Sequence, residues 1–149
     1  MTDNEKKKEF LKSYRNLYDK VLSLQEQKKS IIETMVSARS QNYDSMPKAK
    51  RIVDLSDYVI KLENVMISID DTNAHCIARK VLIETAIINM QNGIESTVLH
   101  KRYVLFKTWE VIAIETRYCV KQVQRIHGKA LLHFIMPERS KNDGNCCRF

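Results

Sequence analysis

An all-α fold, with two long helices followed by shorter ones, is what this sequence predicts, and three observations carry that expectation. Glycine and proline are scarce, at 3 and 2 of 149 residues, whereas a sheet-rich chain needs many tight turns and consumes both. Apolar residues recur at alternating steps of three and four through most of the chain, the helical period. Hydrophobic residues make up 44% and charged residues 29%, so the chain can build a core and is not compositionally disordered. The length suits one compact domain, or a small domain with an extended helical part.

The first long helix is expected over residues 5–40. Its apolar seam is Phe10, Tyr14, Leu17, Val21, Leu24, Ile31, Met35 and Ala38. Lys28 fills the one polar slot, and lysine stems can lie along such a seam. Residues 41–50 (QNYDSMPKAK) punctuate the chain. Asn42, Asp44 and Ser45 favour turns, Pro47 biases Met46 away from helix, and Ser45 can cap the second helix.

That second helix is expected over residues 48–92, with the seam Ile52, Leu55, Val59, Leu62, Met66, Ile69, Asn73, Cys76, Lys80, Ile83, Ile87 and Met90. Asp70-Asp71-Thr72-Asn73 is its expected weak spot. Gly93 is expected to end it, as a C-terminal glycine does. Two amphipathic helices joined by a short turn make an antiparallel hairpin, or a coiled coil between chains. Beyond Glu95 shorter helices are expected: one over 96–104, one capped by Thr108, and one over 120–135. The polar end, SKNDGNCCRF, reads as a mobile tail.

Charge is unevenly distributed. The formal net charge is +7 and the pI is near 9.3, which favours an anionic partner. Residues 97–139 carry eight basic side chains against three acidic ones, and 5–40 carry nine against five. Residues 48–92 balance at six of each. In the last helix Lys121, Arg125 and Lys129 recur every fourth residue, flanked by Gln122 and Gln124, which can make bidentate contacts to adenine. Val123, Ile126, Ala130, Leu131 and Phe134 form the opposite, packing face.

Residues 99–132, LHKRYVLFKTWEVIAIETRYCVKQVQRIHGKALL, resemble the helix-turn-helix with which bacterial sigma factors read the −35 promoter element. The matching features are Leu99, Arg102 and Tyr103, then Thr108-Trp109-Glu110 with Ile112-Ala113, and after the turn Val123, Ile126 and Lys129-Ala130-Leu131. The look-alikes are small sigma-like regulators of phages and mobile elements, including late-transcription activators of the ArpU type, which also place a long helical segment first. The turn Glu115-Thr116-Arg117-Tyr118 lacks the usual glycine, and Cys119 stands where Ser or Thr commonly caps the reading helix. No counterpart of the sigma-factor segments that bind the −10 element or the polymerase clamp is present.

The resemblance implies a domain plan of 1–92 as helical hairpin, 93–136 as DNA-binding helix-turn-helix and 137–149 as tail. It implies that Val120, Lys121, Gln122, Gln124 and Arg125 face base edges and nearby phosphates, and that Lys129 contacts phosphate. Arg117 and Lys107 complete the expected set of DNA-binding residues. Trp109, Ile112, Ala113, Val123, Ile126 and Leu131 are implied to be packing.

The expected function is therefore sequence-specific regulation of phage or mobile-element transcription. Its partners are double-stranded DNA, RNA polymerase and a second copy of the chain. The alternative is a non-transcriptional coiled-coil protein with a nucleic-acid-binding end, such as a DNA-packaging subunit. Enzymatic function is not expected. His75, His100, His127 and His133 show no metal-ligand spacing, Gly93, Gly128 and Gly144 make no phosphate loop, and Asp70-Asp71 has no catalytic companion. No cofactor or metal is expected. The four cysteines, Cys76, Cys119, Cys146 and Cys147, form no disulfide framework and suggest a reducing cytosol, which the resemblance to phage regulators implies is that of a bacterial host cell. CCRF only loosely mimics a prenylation box, because Arg148 occupies an aliphatic position. No apolar run reaches the roughly 18–20 residues of a membrane span, and the N-terminus has no apolar signal region.

Overall fold

The computed structural model describes the backbone of residues 2–40 and 49–137, with side chains at 2–39 and 55–137. Among the described residues all regular structure is helical, with no strand. The helices are α1 (Asp3–Ser40), α2 (Ala49–Ile88), α3 (Gly93–Leu99), α4 (Trp109–Thr116) and α5 (Val120–His133), with a π-helical turn over His100–Val104 between α3 and α4. Among the described residues no helix is long and apolar enough to cross a membrane. Of the turn expected at 41–50, residues 49–50 are already helix and the rest lie outside the described residues, as do the tail with Cys146 and Cys147 and the side chain of Ile52.

Two compact units divide the chain. One contains residues 16–78, the C-terminal two-thirds of α1 and most of α2. In it Val21, Ile69, Thr72 and Cys76 are buried. The seam of α1 follows the expected positions from Tyr14 to Met35, with Lys28 half-buried in its slot and Ala38 exposed. The seam of α2 holds at Leu55, Leu62, Ile69, Cys76, Ile83 and Ile87 and departs from expectation at two positions. Tyr58, Val65 and Thr72 are withdrawn from water, whereas Val59 and Met66 are 40% and 43% exposed. The expected weak spot does not break the helix, which runs unbroken through residues 70–73, and the buried Thr72 hydroxyl is satisfied by donating to the Ser68 carbonyl at 2.7 Å.

The other unit joins residues 1–15 to residues 79–149, so its contacts run across the 92/93 boundary expected from the sequence. Its fully buried side chains are Leu11, Ile83, Ile87, Val98, Leu99, Ile112, Val123, Leu131 and Phe134, each contributing about 1.5–3 kcal/mol by leaving water. Both α3 and α4 pack on α5. Leu11 is fully buried, while Phe10 is half-buried, with its ring 6.3 Å from that of Phe134.

Gly93 does not end α2. That helix stops at Ile88, and Gly93 opens α3 behind Asn92, whose side chain accepts from the Ile94 N–H at 3.2 Å. Asparagine is a strong N-cap, and it outweighs the C-terminal preference of the glycine beside it. The open end of α2 is satisfied instead by Ser96, whose hydroxyl donates to the Ile87 carbonyl at 3.1 Å.

The C-terminal end of α5 has a cap from far along the chain. The Lys7 ammonium donates to the carbonyls of Leu131 (3.0 Å) and Leu132 (3.4 Å) and pairs with Asp3 at 3.1 Å. A cation at the end of the helix dipole both satisfies orphan carbonyls and meets the negative pole. We expect Lys7→Ala to destabilise this unit by about 1–3 kcal/mol, and Lys8→Ala, which is exposed, by less than about 0.5 kcal/mol. Urea titration followed by fluorescence of Trp109, the only tryptophan, reads the difference. Equal midpoints for the two variants would remove the cap from the account.

Candidate nucleic-acid interface

The site is built on α5, and α5 is fixed from one side. Val123, His127, Ala130 and Leu131 are buried, and Val123 joins Val98, Ile112 and Ala113 in one cluster. Trp109 and Ile126 pack against that cluster. Apart from Val98 and His127, these are packing residues that the sequence assigned to the two helices.

The connection between α4 and α5 is three residues, Arg117, Tyr118 and Cys119. Arg117 adopts the left-handed conformation, φ 60° and ψ 31°, at the C-cap of α4, the position that glycine would take without strain. The Tyr118 N–H reaches back to the Ala113 carbonyl at 3.1 Å and the Arg117 N–H to the Ile114 carbonyl at 3.3 Å. These bonds close α4 and make the sharp turn without a glycine. Thr108 opens α4 as expected, its oxygen accepting from the Val111 N–H. Cys119 opens α5 and makes no side-chain cap, also as expected from a thiol.

Of the residues named from sequence, Lys121, Gln122, Gln124, Arg125 and Lys129 are exposed on α5. A shallow groove runs along this face, lined among others by Cys119, Lys121, Arg125, Gly128, Lys129 and Leu132. Val120 differs. It is half-buried and packs on the Val98–Ile112–Ala113–Val123 cluster, so it belongs to the support of the helix. Arg117 is exposed at the turn. Lys107 lies outside α5, with its ammonium held by Glu115 at 2.5 Å. Glu115 also accepts from Lys101. The two ammonium groups hold the Glu115 carboxyl below the usual carboxylate range.

Three features of this region were not singled out by the sequence. Arg102 lies over the Trp109 ring at 4.4 Å and donates to the Lys107 carbonyl at 3.0 Å. Leu132 is 63% exposed beside the basic residues. Gly128 opens the middle of the same face. The first could be anticipated from the nearness of Arg102 and Trp109 in sequence, and the others from a helical wheel.

His127 is the polar centre of the support. Its ring meets Trp109 edge-on at 5.0 Å, and its Nε2 is 2.9 Å from the Tyr103 hydroxyl. Burial, with Lys8 and Arg102 nearby, pushes its pKa down to about 4. Burial also raises the Tyr103 phenol. His133, at the last position of α5, pairs instead with buried Glu95 at 2.7 Å.

No family model, curated protein or solved structure matches this chain.

The shift at His127 has a sign for stability. Between pH 6.5 and about 4 the unfolded imidazole binds a proton that the folded one refuses, so stability rises with pH there and is lost as pH falls. We expect urea midpoints, read at Trp109, to decline from pH 7 to pH 4 more steeply in the wild type than in His127→Gln. Parallel slopes would show that His127 is not the group responsible.

Proposed function

We propose that the chain is a sequence-specific DNA-binding regulator of phage or mobile-element transcription, sigma-factor-like, in which α4, the turn and α5 act as a helix-turn-helix. The observation that carries this reading is the two-sided build of α5. One side is locked to the core. The other displays Lys121, Gln122, Arg125 and Lys129 with no acidic residue on the helix. A helix held from behind, with cations and amides in front, meets what the major groove asks of a reader. The three-residue connection with its left-handed Arg117 supports it further.

In this reading Gln122 and Arg125 contact base edges, Gln124 and Lys121 lie at their margins, and Lys129 and Arg117 contact phosphates. Lys107 acts through Glu115 to hold the region together. The arms of residues 16–78 pair two copies or dock RNA polymerase. They expose Tyr18, Leu22, Ile32 and Val36 on α1, and Val59, Ile60, Met66, Ile67 and Ile77 on α2.

The test starts with selection of bound fragments from a pool of duplexes, followed by salt titrations on the selected and a scrambled duplex. Arg125→Ala and Gln122→Ala are each expected to lose about 1–3 kcal/mol of discrimination. Lys129→Ala should weaken both duplexes alike and flatten the salt dependence by about one unit of slope. Trp109→Ala, which removes the support, serves as the stability control. Equal losses for Arg125→Ala and Lys129→Ala on both duplexes would leave α5 as a merely basic surface and move the packaging-subunit reading ahead.

The arms carry a separate expectation. Sedimentation at tens of micromolar should show a dimer that Ile67→Asp dissociates. A monomeric wild type would remove the pairing of copies and leave the α5 reading standing.

A further inference from the structure

Gly128 lies in the interior of α5, eight residues past its start, in the middle of the exposed face. Glycine is among the poorest residues for a helix interior, so an interior glycine is expected to have a reason in packing or in contact with something else. Packing within the chain supplies none. A Cβ added at Gly128 would meet nothing within 4 Å, and the residue has no left-handed φ. The chain therefore gains nothing internally from leaving this position bare.

The surroundings are specific. Gln124 and Arg125 stand on the turn before Gly128, Lys129 beside it and Leu132 on the turn after, all exposed. The groove on this face passes over Gly128 and is lined by Lys121, Arg125, Lys129 and Leu132. Side chains thus rim a patch where the helix main chain itself is the surface. The rim is cationic, so the object that fits is anionic, and the main chain lets it come closer than any side chain at 128 would allow.

We propose that Gly128 is the point of closest approach between the main chain of α5 and the sugar–phosphate backbone of duplex DNA, making it a positioning residue that sets how deeply α5 sits. This rests on the reading of α5 as a DNA reader and adds a residue to it. Lys129 holds the phosphate admitted over Gly128, Arg125 reaches past it to the base edges, and Leu132 covers the adjoining sugar. A methyl group at 128 lifts the helix away from that backbone and lengthens every contact made by its neighbours.

The experiment compares Gly128→Ala with the wild-type full chain, by thermal melting and by anisotropy titration of a labelled duplex drawn from the selected pool. Gly93→Ala is the control. Gly93 also has nothing within 4 Å of its added Cβ, and it lies outside α5. Gly128→Ala is expected to melt higher by roughly 1–4 °C, yet to bind duplex about tenfold more weakly, the factor equal to 1.4 kcal/mol. Gly93→Ala should leave duplex affinity unchanged. Opposite signs for stability and binding, confined to Gly128, separate a contact role from a folding role. Wild-type affinity in Gly128→Ala overturns the proposal while the reading of α5 stands. Equal loss in both glycine variants overturns it as well. A wild-type chain that binds no duplex overturns the proposal together with the reading beneath it.

Discussion

The lock formed by His127 between Trp109 and Tyr103 is the interaction on which the C-terminal region depends. A helix as short as α5, with 14 residues, is marginal alone in water, because nucleation costs more than so few turns return. It persists here because its inner face is covered. Aliphatic contacts through Val123, Ala130 and Leu131 supply most of that cover. They are non-directional and tolerate rotation. The histidine is different, because its Nε2 must meet one hydroxyl at 2.9 Å and its ring must meet one indole edge-on. Such paired geometry fixes the rotation of α5 about its own axis. That rotation decides which residues face outward.

The lock is braced from both ends. Arg102 covers the face of Trp109 and reaches the Lys107 carbonyl. Lys107 and Lys101 share Glu115. At the far end of α5, Lys7 takes the Leu131 and Leu132 carbonyls. Tyr14 stacks on Phe106 at 5.3 Å, which holds the left-handed bend at Phe106, φ 56°. The first turns of α1 and the last turns of α2 are therefore structural parts of the C-terminal region. A fragment beginning at residue 93 would lose the cap of α5 and the Leu11, Ile83 and Ile87 portion of the core.

The helical content, the two long helices and the inner and outer faces of α5 were legible because period and polarity carry them directly. The exact seam of α2 was not. Val59 and Met66 are larger apolar signals than Tyr58 and Thr72, and adjacent residues on a helix differ by a third of a turn or less, so both stripes satisfy the same period. Burial chose the stripe containing Thr72, whose hydroxyl is satisfied within its own helix. Phe10 filled the heptad position in sequence, while its neighbour Leu11 is the residue the core buries completely. Gly93 misled because a glycine after an apolar run reads as a stop, whereas Asn92 made it a start. The partners of Lys7 and His127 lie 124 and 24 residues away, and no local pattern announces contacts of that separation. Val120 was read as outward because it stands at the start of the helix. Its β-branched side chain is instead drawn to the Val98 cluster.

Charge placement follows from the same architecture. A basic protein has more cations than any one partner can use, and the fold determines which remain available. Lys101 and Lys107 are drawn to Glu115, Lys7 to the end of α5, and Arg102 to an indole ring. Each commits its charge to holding the C-terminal unit together. Lys121, Arg125 and Lys129 lie on a helix without acidic residues, at i, i+4 and i+8. Their mutual repulsion along one face is a cost in the isolated chain. A phosphate backbone would relieve it by replacing like-charge neighbours with opposite ones and releasing counterions. The uncompensated stripe is thus where an anion gains most, and it falls on the one face of α5 that the His127 lock turns outward.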